Sequence, residues 1–389
     1  MNSTLITNCG ELLTNDPALG DGSLVGRLND AAFVIEDGLV AWLGPSSAAP
    51  ACDEILNLEG RAVVPGFVDS HTHLVFAGER SDEFEARMAG LPYDGGGIRR
   101  TVEATRAASR EELTRVTLER LAALRRGGVT TVEIKSGYAL DVSGEARLID
   151  IASAITEEVT FLGAHVVPQE YLTDREAYLH LVTGPMMDAC AGAKWVDVFC
   201  DRGAFSVDEA RVVLAAGRAA GKGLRLHGNQ LGETGGVALA VEMDCASVDH
   251  CTFVSDDDVE RLANSSTVAT LLPGAEFSTK SPYPSARRLL DAGVSVAIAT
   301  DCNPGTSYVT SMSFVIALAV REMGMTFDEA LWSATLGGAR ALRRSDIGSL
   351  KVGSRGQYVV LDAPRAAHLA YRPGSDLVHF ASPMVAPSR

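Results

Sequence analysis

Short apolar runs alternate along most of this chain with stretches whose apolar residues recur at helical spacing. Eight runs stand out: Ala62–Val68, Val129–Ile134, Val159–Gly163, Trp195–Phe199, Leu224–Leu226, Ala246–Val248, Val268–Leu272 and Val294–Ala299. Between them the helical period is clearest at Arg110–Arg125, Gly144–Ile155, Val207–Ala220 and Asp256–Ala263. Strands alternating with helices predict right-handed βαβ units and a parallel sheet. Eight such units in about 280 residues match the size of a TIM-like (β/α)8 barrel. The alternative, a doubly wound open sheet, lacks the GxGxxG turn that would follow one of its strands.

Both ends of the chain pattern differently. Phe33 to Trp42 reads as two short strands around Asp37-Gly38, the residue pair a tight hairpin turn demands. Asp53–Ala62 adds another strand pattern, and Ile347–Gly353 followed by Gln357–Asp362 predicts two more. The expected organisation is an α/β chain: a small β-sandwich shared by residues 1–60 and 346–389, with the barrel over 61–345.

Composition narrows the function. The 389 residues carry 34 Lys+Arg against 50 Asp+Glu, a formal charge of −16, which argues against nucleic-acid or anionic-membrane partners. Hydrophobic residues at 46% allow a sizeable core. The N-terminal stretch has no basic or apolar leader pattern, and the longest apolar run, Phe314–Val320, is far too short for a membrane span. Seven scattered cysteines with no CxxC pair read as reduced thiols of a cytoplasmic protein.

The candidate chemistry lies at the strand ends. After the first run come Asp69, His71 and His73, which alternation puts on one face. His165 follows the third run, His227 the fifth, His250 the sixth and Asp301 the eighth. Five of the eight histidines thus fall at the rim where barrel enzymes keep their catalytic groups. Neutral imidazoles gathered with a carboxylate predict a metal site with three or four protein ligands. His71, His73 and Asp301 are the firmest by position, His227 is the best further imidazole, and His250 either ligates or acts on the substrate. Lys135, ending the second run, could bridge two metals as a carbamate; a structural role, and hence one metal, is expected instead. Cys251 and Cys302 alternate away from the site and read as packing, as do Trp195, Trp332 and Met186-Met187; Asp197 and Asp201 flank the end of the fourth run, where Asp201 could support a site residue from behind but reads more readily as a solvated acid.

The stretch Val64-Pro65-Gly66-Phe67-Val68-Asp69-Ser70-His71-Thr72-His73 resembles the amidohydrolase superfamily, metal-dependent barrels with an attached β-sandwich. Its continuation, Leu74-Val75-Phe76-Ala77-Gly78-Glu79-Arg80, is similar to that of the imidazolonepropionase family. So are Gly95-Gly96-Gly97-Ile98, Glu133-Ile134-Lys135-Ser136-Gly137-Tyr138, Gly163-Ala164-His165, Leu271 to Ala275 and Ala299 to Ser307. The resemblance implies hydrolysis of 4-imidazolone-5-propanoate to N-formimidoyl-L-glutamate in histidine degradation, by opening a cyclic amide C–N bond. It implies zinc or iron on His71, His73, His227 and Asp301, and a homodimer. Arg80, Tyr138, His165, Gln230 and Thr306 match substrate-holding positions, Asn303 and Gly305 match product contacts, and Tyr93 falls where the family has a pocket tyrosine. The chain departs from the family pattern in a shortened stretch after Tyr93, in Gly228 where Ala is usual, in Gln230 where some members carry Glu, and in Gln357-Tyr358.

On this reading Asp301 takes the proton of the attacking water and passes it to the departing nitrogen, and His250 or His165 stabilises the carbonyl oxygen. Arg80 offers a planar fork to the propanoate. Two rivals remain: a nucleobase deaminase built on the same metal, and a non-catalytic barrel serving as a binding scaffold. The implied substrate is an anion, so the overall field opposes its approach and recognition rests on local positive charge.

Overall fold

A computed structural model describes residues 3–90 and 97–384. Eight parallel strands, with helices between most of them, form the barrel. They are Phe67–Asp69, Val129–Val132 continued by Ile134–Lys135, Val159–Ala164, Trp195–Cys200, Gly223–Gly228, Ser247–His250, Val268–Leu271 and Val296–Ile298. The first and eighth strands meet beyond their ends, where the Asp301 N–H donates to the His71 carbonyl, the His73 N–H donates to that of Cys302, and Thr72 bridges Cys302. This closure sets His71, His73 and Asp301 side by side.

The helices begin where the capping chemistry dictates. Ser109 caps Arg110–Arg126 and Asp141 caps Val142–Ser153, while Ser206 with Glu209 and Ser255 with Asp258 form reciprocal capping boxes on the next two expected helices. The apolar run Phe314–Val320 lies inside the helix Met312–Glu322, and no helix among the described residues is long and apolar enough to cross a membrane.

Both chain ends build one seven-stranded sheet. Its order runs Val378–Ala381, Tyr358–Leu361, Ala62–Pro65, Ser3–Leu13, Arg27–Glu36 and Leu39–Pro45, with Glu54–Asn57 lying parallel to Ser3–Leu13. The hairpin at Asp37-Gly38 forms as expected, with both residues at positive φ (50° and 80°), as a two-residue turn between twisted strands requires.

Two expectations change. The run Ala62–Val68 is two strands in two sheets, Ala62–Pro65 in the terminal sheet and Phe67–Asp69 in the barrel. The switch falls at Gly66, where a Cβ would stand 2.1 Å from the Thr130 hydroxyl, so only glycine lets the sheets approach. Ile347–Gly353 is not a strand: Gly348 and Gly353 take positive φ (75° and 90°) and the segment runs as turns, pinned by the Leu350 N–H on the Thr14 carbonyl.

Candidate active site

At the C-terminal mouth of the barrel lies a cavity of about 530 Å³ whose wall includes His73, Arg80, Tyr138, His165, His227 and Gln230, together with His250, Asp301, Asn303, Gly305 and Thr306. His71 lies immediately beneath, fully buried. Tyr93, also expected here, falls outside the described residues.

The Nε2 atoms of His71 and His73 are 3.2 Å apart, and those of His73 and His227 are 3.4 Å apart. Asp301 Oδ1 stands 3.5 Å from His71 Nε2 and 3.6 Å from His73 Nε2. Four donors at 2.0–2.1 Å around a tetrahedral ion are separated by about 3.3 Å. Proton bookkeeping points the same way. His71 Nδ1 lies 2.7 Å from an Asp249 oxygen and His227 Nδ1 lies 3.0 Å from Asp197, so each Nδ1 carries the hydrogen and each Nε2 turns a lone pair inward. Lone pairs facing one another in a buried pocket call for a cation, and Asp301 Oδ2 is also buried without a hydrogen-bond partner among the described residues. His71, His227 and His250 form a second cluster close enough to share an ion.

Burial, then neighbouring positive groups, keeps the imidazoles neutral: His71 and His73 fall well below the usual histidine range. Burial also pushes the Asp301 carboxyl well above the usual carboxylate range. His250 is neutral too, mainly from burial, and its Nδ1 has no hydrogen-bond partner. It adopts φ 81° and Asp301 adopts φ 52°, left-handed backbone that costs about 1–3 kcal/mol per non-glycine residue and recurs at functional sites.

Beneath the ligands lies a layer of fully buried charge. Lys135 Nζ reaches Glu133 at 3.0 Å, Asp197 at 2.8 Å and Asp249 at 3.7 Å, and Arg225 reaches Asp249 at 3.3 Å. Burial alone would raise both aspartates, but His227 and Lys135 outweigh it at Asp197, and Arg225 and His71 at Asp249. Lys135 is thus enclosed by three carboxylates, the surroundings a structural cation needs. The sequence reading placed Asp197 near the end of the fourth run without giving it a role and passed over Asp249, although Asp249 adjoins His250. Asp69, on the expected face, is one layer down: Thr300 binds it through N–H and hydroxyl, and burial raises its pKa to about 7.

The rim is held differently. His165 Nδ1 lies 2.9 Å from the Gly137 carbonyl, which can only accept, so the ring presents an Nε2 lone pair to the cavity. Burial lowers its pKa to about 4. It is thus an acceptor at neutral pH, and of the two histidines expected to stabilise the carbonyl oxygen only His250 remains suited to donate. Tyr138 sits on a loop whose Gly137, Ala139 and Leu140 N–H groups all donate to buried Glu145. Gln230 is placed by its N–H on Asp201, which also accepts from Leu231 and Arg202. Asp201 is therefore buried and occupied, where a solvated acid was expected. The Asn303 amide is used within its own loop, donating to the Asp301 carbonyl and accepting from the Gly305 and Thr306 N–H groups. Its first role is to shape that loop. Cys251 and Cys302 are buried, with thiols raised by burial, consistent with packing.

A profile of the amidohydrolase family matches residues 62–384. The chain is 59% identical over 379 residues to the imidazolonepropionase of Streptomyces griseus, covering 97% of each protein. It is 60% identical over 380 residues to that of Mycolicibacterium smegmatis, covering 97% of this chain and 96% of the other. The chain is an amidohydrolase of the imidazolonepropionase family. Solved structures with the same fold include a zinc- and atraton-bound atrazine chlorohydrolase variant from Arthrobacter aurescens (TM-score 0.74, 16% identity, 98% and 94% coverage). Another is the guanine deaminase of C. acetobutylicum (TM-score 0.72, 15% identity, 98% of each chain).

Proposed function

We propose that the chain hydrolyses 4-imidazolone-5-propanoate to N-formimidoyl-L-glutamate, using one zinc or iron ion held by His71, His73, His227 and Asp301. The observation that carries this reading is the convergence of two inward lone pairs, on His71 and His227, with His73 Nε2 and one carboxylate beside a cavity that also holds Arg80. When bound, the ion supplies Lewis acidity and a nucleophilic water at neutral pH. Asp301 Oδ2, without a partner among the described residues, accepts the proton of the attacking water and delivers it to the ring nitrogen as the C–N bond breaks. His250 donates to the carbonyl oxygen as it gains charge. His165 Nε2 accepts a ring N–H, and Tyr138 packs at 5.2 Å from the His165 ring to close that side. Gln230 and Thr306 hold the polar edge of the ring, Gly305 and Asn303 shape the loop against the product, and Arg80 pairs with the propanoate.

Seven unpaired cysteines suit a cytoplasmic enzyme, and a homodimer is its proposed assembly. The decisive experiment follows the loss of imidazolone absorbance with freshly made substrate, alongside metal analysis and mass detection of the ring-opened product. Ammonia release from a nucleobase, with imidazolone propanoate untouched, would overturn the reading in favour of a deaminase.

A further inference from the structure

Arg80 is almost wholly buried at the cavity wall, at 5% exposure, and it pairs with the Glu83 carboxylate. Glu83 Oε1 and Oε2 each accept from Arg80 Nε at 3.1 Å, and Oε2 accepts from Nη2 at 2.7 Å. An i,i+3 pair in the first turn of a helix is usually a solvated surface contact of little consequence. Here the guanidinium is desolvated, and the pair is clamped between two glycines. A Cβ on Gly97 would stand 1.9 Å from Glu83 Oε1, and a Cβ on Gly305 would stand 2.4 Å from Arg80 Nη1. Neither glycine adopts positive φ, so space rather than backbone conformation requires them. Glu83 is absent from the described cavity wall, whereas Arg80 and Gly305 line it.

We propose that Glu83 is a positioning residue for anion recognition: it holds the Nε–Nη2 edge of Arg80, fixing the guanidinium plane so that its Nη1 side is presented at Gly305 to a substrate carboxylate. A planar guanidinium can serve a carboxylate on each of two edges, and one edge locked in advance reduces the side-chain freedom lost on binding. Glu83 also gives the buried cation a counter-charge before substrate arrives, so Arg80 stays in place. The effect of Glu83 belongs to the substrate's charge and not to its ring. The inference rests on the proposed imidazolone reaction.

The test compares the acid substrate with its propanamide analogue, which keeps the ring and loses the negative charge. Glu83→Gln should raise KM for the acid about tenfold, the worth of one charge-assisted hydrogen bond, with kcat changed less than about threefold. KM for the amide should stay unchanged. Gly97→Ala, whose Cβ displaces the Glu83 carboxylate from a position outside the described cavity wall, should reproduce the pattern and add little in the Glu83→Gln background. Equal KM shifts for acid and amide, or no shift for either, would overturn the role of Glu83. A lower KM for the acid would overturn it too, by making Glu83 a competitor for the fork. Wild-type protein that turns over neither compound would overturn the functional reading and this role with it.

Discussion

The floor and the rim of the cavity are built by different physics. On the floor, two of the four expected ligands are backed by charges with no access to water, His71 by Asp249 and His227 by Asp197, and both aspartates are backed by Lys135. At the rim, Tyr138, Gln230 and the Asn303–Thr306 loop are held through backbone N–H groups that converge on a buried acid or amide. Two cations, Lys135 and Arg225, face three carboxylates, Glu133, Asp197 and Asp249, in the floor layer. That layer keeps one negative charge in excess and favours a cation directly above it. The rim sets shape instead, its buried acids Glu145 and Asp201 being occupied by backbone N–H groups. Atoms that must hold an ion are fixed by charge, and atoms that must fit a small molecule are fixed by geometry.

The largest effect should come from the floor. Asp301→Asn should lower kcat about a thousandfold or more, because it removes the proton carrier along with a ligand, and single-turnover kinetics would read it directly. A variant with near-normal turnover would break the assignment. Lys135→Met should destabilise the fold by about 3–5 kcal/mol by leaving carboxylates uncompensated in the interior, measured by urea unfolding. Asp197→Asn should weaken metal affinity by about 10–100-fold in chelator competition, since the His227 hydrogen bond would lose its charged acceptor. At the rim, Arg80→Lys should raise KM about tenfold while lowering kcat less, because a point charge cannot replace a fork. Asp201→Ala should shift KM by only about threefold, through Gln230, with metal content unchanged. A rim variant that loses metal, or Asp197→Asn that keeps full affinity, would erase the distinction.

Much of this was legible in the sequence. Histidines at successive strand ends and Asp301 after the eighth run pointed to one rim, because alternation and parallel topology leave few ways to arrange them. The hairpin at Asp37-Gly38 followed from turn chemistry alone. Other features were illegible for physical reasons. Asp197 and Asp249 look like ordinary strand residues, because periodicity gives the face of a side chain and not the partner across the barrel. Asp201 reads as solvent-exposed until the loop carrying Gln230 folds over it. The run Ala62–Val68 is uniformly apolar, so nothing in its pattern marks the change of sheet at Gly66. The Ile347–Gly353 segment alternates like a strand, yet its two glycines turn it.

The strand Ala62–Pro65 has one neighbour close in the chain, Ser3–Leu13, and another far away, Tyr358–Leu361. During synthesis the second edge waits while roughly 290 further residues are made, about 15–60 s at ribosomal rates. Throughout that interval the nascent protein carries a row of unpaired backbone groups flanked by valines, the kind of edge that invites pairing with another chain. The strand Tyr358–Leu361 is therefore a seal as well as a support. A stop codon before Tyr358 would leave every proposed catalytic residue encoded and the molecule prone to aggregate.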